Sequence, residues 1–166
     1  MHYTKRPKHY LCAAMTNSTI KQALYDACQQ YVNQRLQTAK EALAAAREAA
    51  AEETKSSAGD KYETGRAMAQ IEEERALGQL AEANRLNDAM QAVRPQVKTT
   101  TAEVGSLVVT ETARYYLAVS VGKVSLSGVD YFVVSPASPI GQVLLGAQAG
   151  DAVQFQGRSI EVKEVG

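Results

Sequence analysis

Thr54-Lys55-Ser56-Ser57-Ala58-Gly59-Asp60 interrupts two long tracts of similar composition, and its small, polar residues with Gly59 allow the chain to reverse there. Before it, Ile20, Leu24, Ala27 and Tyr31 recur at spacings of four, three and four, and Leu36, Ala39, Leu43, Ala46 and Ala50 continue the stripe after a small shift. After it, Met68, Ile71, Leu80, Ala83, Leu86, Met90 and Val93 form a second stripe, with Glu72, Glu73, Glu74, Arg75, Glu82 and Arg85 mostly facing outward. From Ser18 to Val93 there is no proline, and Ala, Gln, Glu, Lys, Arg and Leu dominate, as in long exposed helices. Two apolar stripes joined by a reversal predict an antiparallel coiled-coil hairpin over residues 17–94, with its tip near 54–63. Ser18 is the expected N-cap of the first helix and Asp60 of the second, with Glu63 three residues on completing an approximate capping box. Helices of roughly 30 to 38 residues at about 1.5 Å per residue give an expected projection of about 45 to 55 Å.

From Thr99 onward Val, Thr, Tyr, Ser and Gly take over in short runs, and Arg94 to Thr101, with Pro95, forms the joint. Leu107–Thr110, Arg114–Val119, Gly122–Leu126 and Tyr131–Ser135 read as successive strands. Ile140–Leu145 reads as a short helix capped by Ser138, with Pro139 at its first position and Gly146 at its end. Val153–Phe155 and Ser159–Val162 then predict a closing hairpin around Gly157-Arg158. The expected class is α+β: a helical hairpin, a linker over 95–101, and a small antiparallel β domain with one short helix over 102–166. Residues 1–16 read as a disordered leader, with Met15 an alternative start.

The 18 Lys and Arg balance the 18 Asp and Glu, so there is no global basic field to hold a nucleic-acid backbone, and any nucleic acid is expected to be reached through a protein partner. No stretch approaches the roughly 20 apolar residues of a membrane span, which predicts a soluble, cytoplasmic protein with no membrane partner. Cys12 and Cys28 form neither a disulfide framework nor a zinc spacing, and His2 and His9 both sit in the leader, which removes a His-based metal site or Ser-His-Asp triad from the body. Lys55, Lys61, Arg66 and Arg47 are nearly cancelled by Glu48, Glu52 and Glu53 and read as a mixed, solvated surface. Tyr115, Tyr116, Tyr131 and Phe132 read as core aromatics of the strands rather than a base-stacking platform.

Two local motifs carry a family resemblance. Ser138-Pro139-Ile140-Gly141, then Leu144-Leu145-Gly146, then Gly150-Asp151 and an alternating Val153 and Phe155 strand, resemble the C-terminal signature of the bacterial Gre transcript-cleavage factors. At the tip, Gly59-Asp60-Lys61-Tyr62-Glu63-Thr64 is similar to that family's Gly-Asp-x-x-Glu-Asn. The resemblance covers about residues 17–166. It implies an FKBP-like fold for the β domain, which would dock on RNA polymerase through Ser138, Pro139, Ile140, Gly141, Leu145, Gly146 and Asp151. It also implies that the hairpin enters the polymerase secondary channel. There Asp60 and Glu63, the catalytic and metal-binding candidates, would help hold a Mg²⁺ shared with the polymerase, while the polymerase itself hydrolyses the backtracked RNA. The chain would then be no enzyme and carry no cofactor of its own; its partners would be the polymerase and, through it, the nascent RNA 3′ end, with no small-molecule substrate.

The chemistry suits those residues, because Mg²⁺ prefers oxygen ligands, keeps several waters and is often held by one or two carboxylates plus phosphate oxygens. The chain departs from the family after Glu63: Thr64, Gly65, Arg66 and Ala67 stand where the family has Asn, Ala, Glu and Tyr. Arg66 changes the field beside the acids, and Gly65 costs a helix about 1 kcal/mol relative to Ala. Two functions are therefore expected alternatives: stimulation of transcript cleavage, or a non-cleaving regulator that occupies the channel and competes with other factors.

Overall fold

Thr16 starts the first helix, because its hydroxyl accepts the Thr19 amide at 3.3 Å and its carbonyl accepts the Ile20 amide at 3.0 Å. The structure, a computed structural model, describes residues 16–55 and 59–166, with the side chains of 59–62 outside that description. The leader expected over residues 1–16 lies, except for Thr16, outside the described residues, as do the Ser56–Ala58 part of the tip and Cys12, His2 and His9. Helix α1 runs Asn17–Lys55 and helix α2 runs Gly59–Gln91, packed along one another. Ser18 is thus inside the first turn of α1, and Asp60 is inside α2 rather than its cap. Among the described residues no helix is long and apolar enough to cross a membrane.

The seam between the helices differs from the expected stripes in an instructive way. On α2 the buried positions are Ala69, Ala76, Ala83 and Met90, one every heptad, followed by Val93. Met68 and Ile71, expected in the seam, are 63% and 62% exposed. Along this stretch of α2 the contact line is taken by small alanines, and the larger Met68 and Ile71 lie on the flanks. On α1, Leu24, Ala39 and Leu43 are buried as expected, but Lys21, Cys28 and Val32 are buried too, while Ile20, Ala27 and Tyr31 are only half-buried. The lower part of α1 meets both α2 and the sheet, which rotates and widens its buried face.

The strands are β1 (Leu107–Thr110), β2 (Arg114–Leu117), β3 (Gly122–Leu126), β4 (Val129–Val134), β5 (Ala152–Phe155) and β6 (Arg158–Val165), with helix α3 (Pro139–Leu144) between β4 and β5. They form one six-stranded sheet in the order β3-β4-β2-β1-β6-β5. The pairing is antiparallel except that β2 and β4 run parallel, with Tyr116 opposite Val133. The exception arises because β3 lies at the edge and its tight hairpin returns β4 into the gap beside β2. That hairpin turns at Ser127 and Gly128, both with positive φ, and the β5–β6 hairpin turns at Gln156 and Gly157, also both positive. The second turn therefore falls one residue earlier than Gly157-Arg158, and Phe155 pairs with Arg158.

Alternation along the strands divides the interior into two cores. One face of the sheet offers Leu107, Tyr116, Tyr131 and Val133 to Leu24, Cys28, Val32, Met90 and Val93 of the hairpin base. The other offers Val108, Leu117 and Val162 to Leu144 of α3, with Ala102 and Ala147 beside them. Tyr116 and Tyr131 are buried as expected, whereas Tyr115 is half-buried and Phe132 is 39% exposed, its ring 6.0 Å from that of Tyr115. The first core extends along α1 as far as Leu36, so the shaft beyond it, to Lys55, is only about 30 Å at about 1.5 Å per residue. This is shorter than the expected projection, because the first half of α1 is committed to the core.

Tyr116 is fully buried, and its hydroxyl has no hydrogen-bond partner among the described residues. Burial, assisted by the nearby Cys28, Tyr25 and Asp26, pushes its pKa well above the tyrosine range. An orphaned buried hydroxyl costs about 1–3 kcal/mol. Tyr116→Phe is therefore expected to raise stability by about 1 kcal/mol in urea denaturation. Ala83→Leu, at a seam position only 2% exposed, is expected to lower it by about 1–3 kcal/mol through overpacking.

Candidate functional site

Because α2 begins at Gly59, Asp60 lies in its first turn and Glu63 follows three residues later, which puts both on one side of the helix at its positive end. Glu63 is exposed; the Asp60 side chain lies outside the described residues. The positive end of a helix dipole favours negative charge at the start of α2. Among the described residues no group of three or more His, Cys, Asp or Glu converges. Two hard oxygen donors on one turn fit the partial ligand set that Mg²⁺ takes from a protein, leaving its other positions to water and phosphate.

Gly65 lies on the α1-facing side of α2, and a Cβ built there would collide with the Glu53 carboxylate. Glu53 of α1, read from sequence only as a neutralising acid, is half-buried and lies against the α2 backbone at Gly65, two residues after Glu63. The signal that could have found it is the geometry of an antiparallel hairpin, where residues equidistant from the reversal face each other. Arg66 is exposed and forms no ion pair among the described residues. Arg47, by contrast, pairs with Glu73 across the hairpin at 2.9 Å, so the two belong to a cross-helix tie rather than a basic patch and an outward acid.

The β-domain motif has a distinct local logic. Ser138 caps α3, its hydroxyl accepting the Gly141 amide at 3.1 Å and donating to the Ser135 carbonyl at 2.6 Å. Pro139 stands at the start of the helix, where its missing N–H is not needed. Gly141 must be glycine, since a Cβ would strike the Ser135 carbonyl oxygen. Gly146 takes a positive φ and donates to the Ala102 carbonyl at 2.8 Å, tying the end of α3 to the start of the domain. Asp151 accepts the Gln148 amide at 2.7 Å and closes the turn into β5. Of the residues expected at the docking surface, Ser138, Pro139, Gly141, Gly146 and Asp151 therefore shape turns. Ile140 packs on the second core, and Leu145 is left 40% exposed beside the exposed Pro139 and Gly146.

A cavity of about 480 Å³ lies at the other end of the hairpin, walled by the start of α1, the segment Pro95–Thr99 and the end of β6. Lys21 lines it and is only 2% exposed, with its Nζ donating to the Val97 carbonyl at 2.6 Å. Burial holds this ammonium below the ordinary lysine range, and the charge of Glu103 partly offsets that effect. Sequence reading missed Lys21, because a lysine on an amphipathic helix normally signals solvent.

No protein-family model matches the chain, and no curated protein or solved structure shows significant similarity to it. Gly65→Ala tests the tip geometry. It is expected to displace the Glu53 carboxylate and to gain about 1 kcal/mol of helix propensity, visible as increased helical circular dichroism and slower amide exchange near residue 65.

Proposed function

We propose that this chain is a Gre-type transcription factor of the bacterial cytoplasm that binds RNA polymerase, passes its hairpin tip into the secondary channel and stimulates cleavage of backtracked RNA. The observation that carries the reading is the placement of Asp60 and Glu63 on one side of the first turn of α2, at the far end of a two-helix rod from the sheet that anchors it. An anchored rod ending in two carboxylates is suited to completing a metal site that another protein holds partly filled, and has no evident use as a hydrolase by itself.

In this reading the β domain docks at the channel rim through the surface around α3, with Leu145 as an exposed apolar contact and Pro139, Gly146 and Asp151 beside it. Ser138 and Gly141 hold that helix in place. In this reading the two tip carboxylates serve as oxygen ligands and as acceptors that can orient a water. Mg²⁺ bound in the polymerase centre supplies Lewis-acid activation of that water and stabilises the leaving oxygen. The nascent RNA 3′ end is thus met only through the polymerase, in keeping with the balanced charge of the chain.

A second reading, a channel-occupying regulator that does not stimulate cleavage, is favoured by one observation. Arg66, three residues after Glu63, is exposed and forms no ion pair with a described carboxylate, and a positive charge so close to Glu63 would weaken cation binding at the tip.

The two readings separate in a backtracked elongation complex supplied with Mg²⁺. Cleavage factors are expected to shorten the RNA from its 3′ end, and Asp60→Ala/Glu63→Ala to slow this by about 10–100-fold or more while polymerase binding persists. Binding without stimulation, together with stimulation gained by Arg66→Glu, would instead identify the regulator.

A further inference from the structure

We propose that the cavity at the base of the hairpin binds a small phosphate-bearing anion, with Lys21 and Lys98 as its cationic ligands. Lys21 is almost wholly buried, yet no carboxylate lies within ion-pair distance of it among the described residues. Buried charges are ordinarily paired, because an uncompensated one is costly to take out of water. An ammonium carries three donors, and the Val97 carbonyl uses one. Two donors and a full positive charge therefore remain at the wall of a cavity whose size, about 480 Å³, is that of a small-molecule site.

Other groups in the same walls favour an anion. Lys98 lines the cavity, is exposed and has no ion-pair partner among the described residues. The cavity also opens on the first turn of α1, a helix of 39 residues, with Asn17 and Ser18 among its lining residues at the positive end of the dipole. Thr99 adds a hydroxyl, shared with Ser106 at 2.9 Å. Two acidic side chains act nearby. Glu103 acts on Lys21 through space without pairing, and Glu164 is engaged by the Asn17 amide at 2.5 Å. Two lysine ammonium groups in the same walls suit a ligand with more than one negative charge. Tetrahedral phosphoryl oxygens accept from amides, hydroxyls and ammonium groups arranged around them, whereas a planar carboxylate uses fewer such directions.

Occupancy would tie together the start of α1, the segment after α2 and the end of β6, three segments that meet at the base of the hairpin. Binding would consequently stabilise the attachment of the rod and couple ligand level to its orientation. The site is remote from the tip acids and independent of the transcriptional reading.

The test is calorimetric titration of the intact protein with sodium pyrophosphate at constant ionic strength, alongside adenosine diphosphate and citrate. Saturable pyrophosphate binding is expected, weakened about tenfold by Lys98→Ala and more by Lys21→Met. If Lys21→Met does not fold, the exposed Lys98→Ala decides alone. Tighter binding of adenosine diphosphate than of pyrophosphate would support a nucleotide as the ligand, and equal binding a free diphosphate. Absence of saturable binding at millimolar pyrophosphate, equal affinity in Lys98→Ala, or citrate binding as tightly as pyrophosphate would overturn the proposal.

Discussion

Everything distal in this protein depends on apolar packing at the hairpin base. Leu24, Val32 and Met90 are fully buried against a sheet face built by Leu107, Tyr116, Tyr131 and Val133. Each such side chain contributes about 1.5–3 kcal/mol on burial, whereas a seam alanine such as Ala69 or Ala76 contributes about 0.8 kcal/mol for its methyl group. The shaft beyond Leu36 therefore relies on few apolar contacts of its own, with the Arg47–Glu73 tie as a modest electrostatic addition. If the base were not docked, two such Ala-rich helices would have little to hold them together.

The sheet can serve as that anchor because its alternate residues face two separate cores. Leu107 and Tyr116 look toward the hairpin, and their neighbours Val108 and Leu117 look toward α3. The motif around α3 shapes the far side: Ser138 caps it, Gly141 lets it approach Ser135, and Gly146 turns the chain back onto Ala102. A sequence signature that suggests a docking surface is, at the level of contacts, chiefly a recipe for one short helix and its two turns.

Much of this was legible in the sequence. The reversal near Gly59, the change of grammar after Pro95, the cap at Ser138 and most of the strand segments follow from local rules that tertiary packing had no cause to override. Three things were not legible. The apolar periodicity on α2 pointed to Met68 and Ile71, but close approach selected Ala69 and Ala76, a choice made by side-chain size rather than hydrophobicity. The parallel pairing of β2 with β4 is a matter of where β3 lies in the sheet, which no run of residues encodes. Lys21 carries a charge that assigns it to the surface in any pattern-based reading, and only the fold around it reveals that it is buried.

The heptad of alanines has a mechanical consequence. Cohesion between the helices is strong where Met90 and Leu24 meet the sheet and thins to methyl contacts toward Ala69, so resistance to separation falls along the rod instead of being shared evenly. Such an element is graded like a tapered cantilever, with its stiffness concentrated at the clamp where the large side chains pack. The joint between the rod and its own domain therefore holds the larger share of the apolar contacts that fix the hairpin.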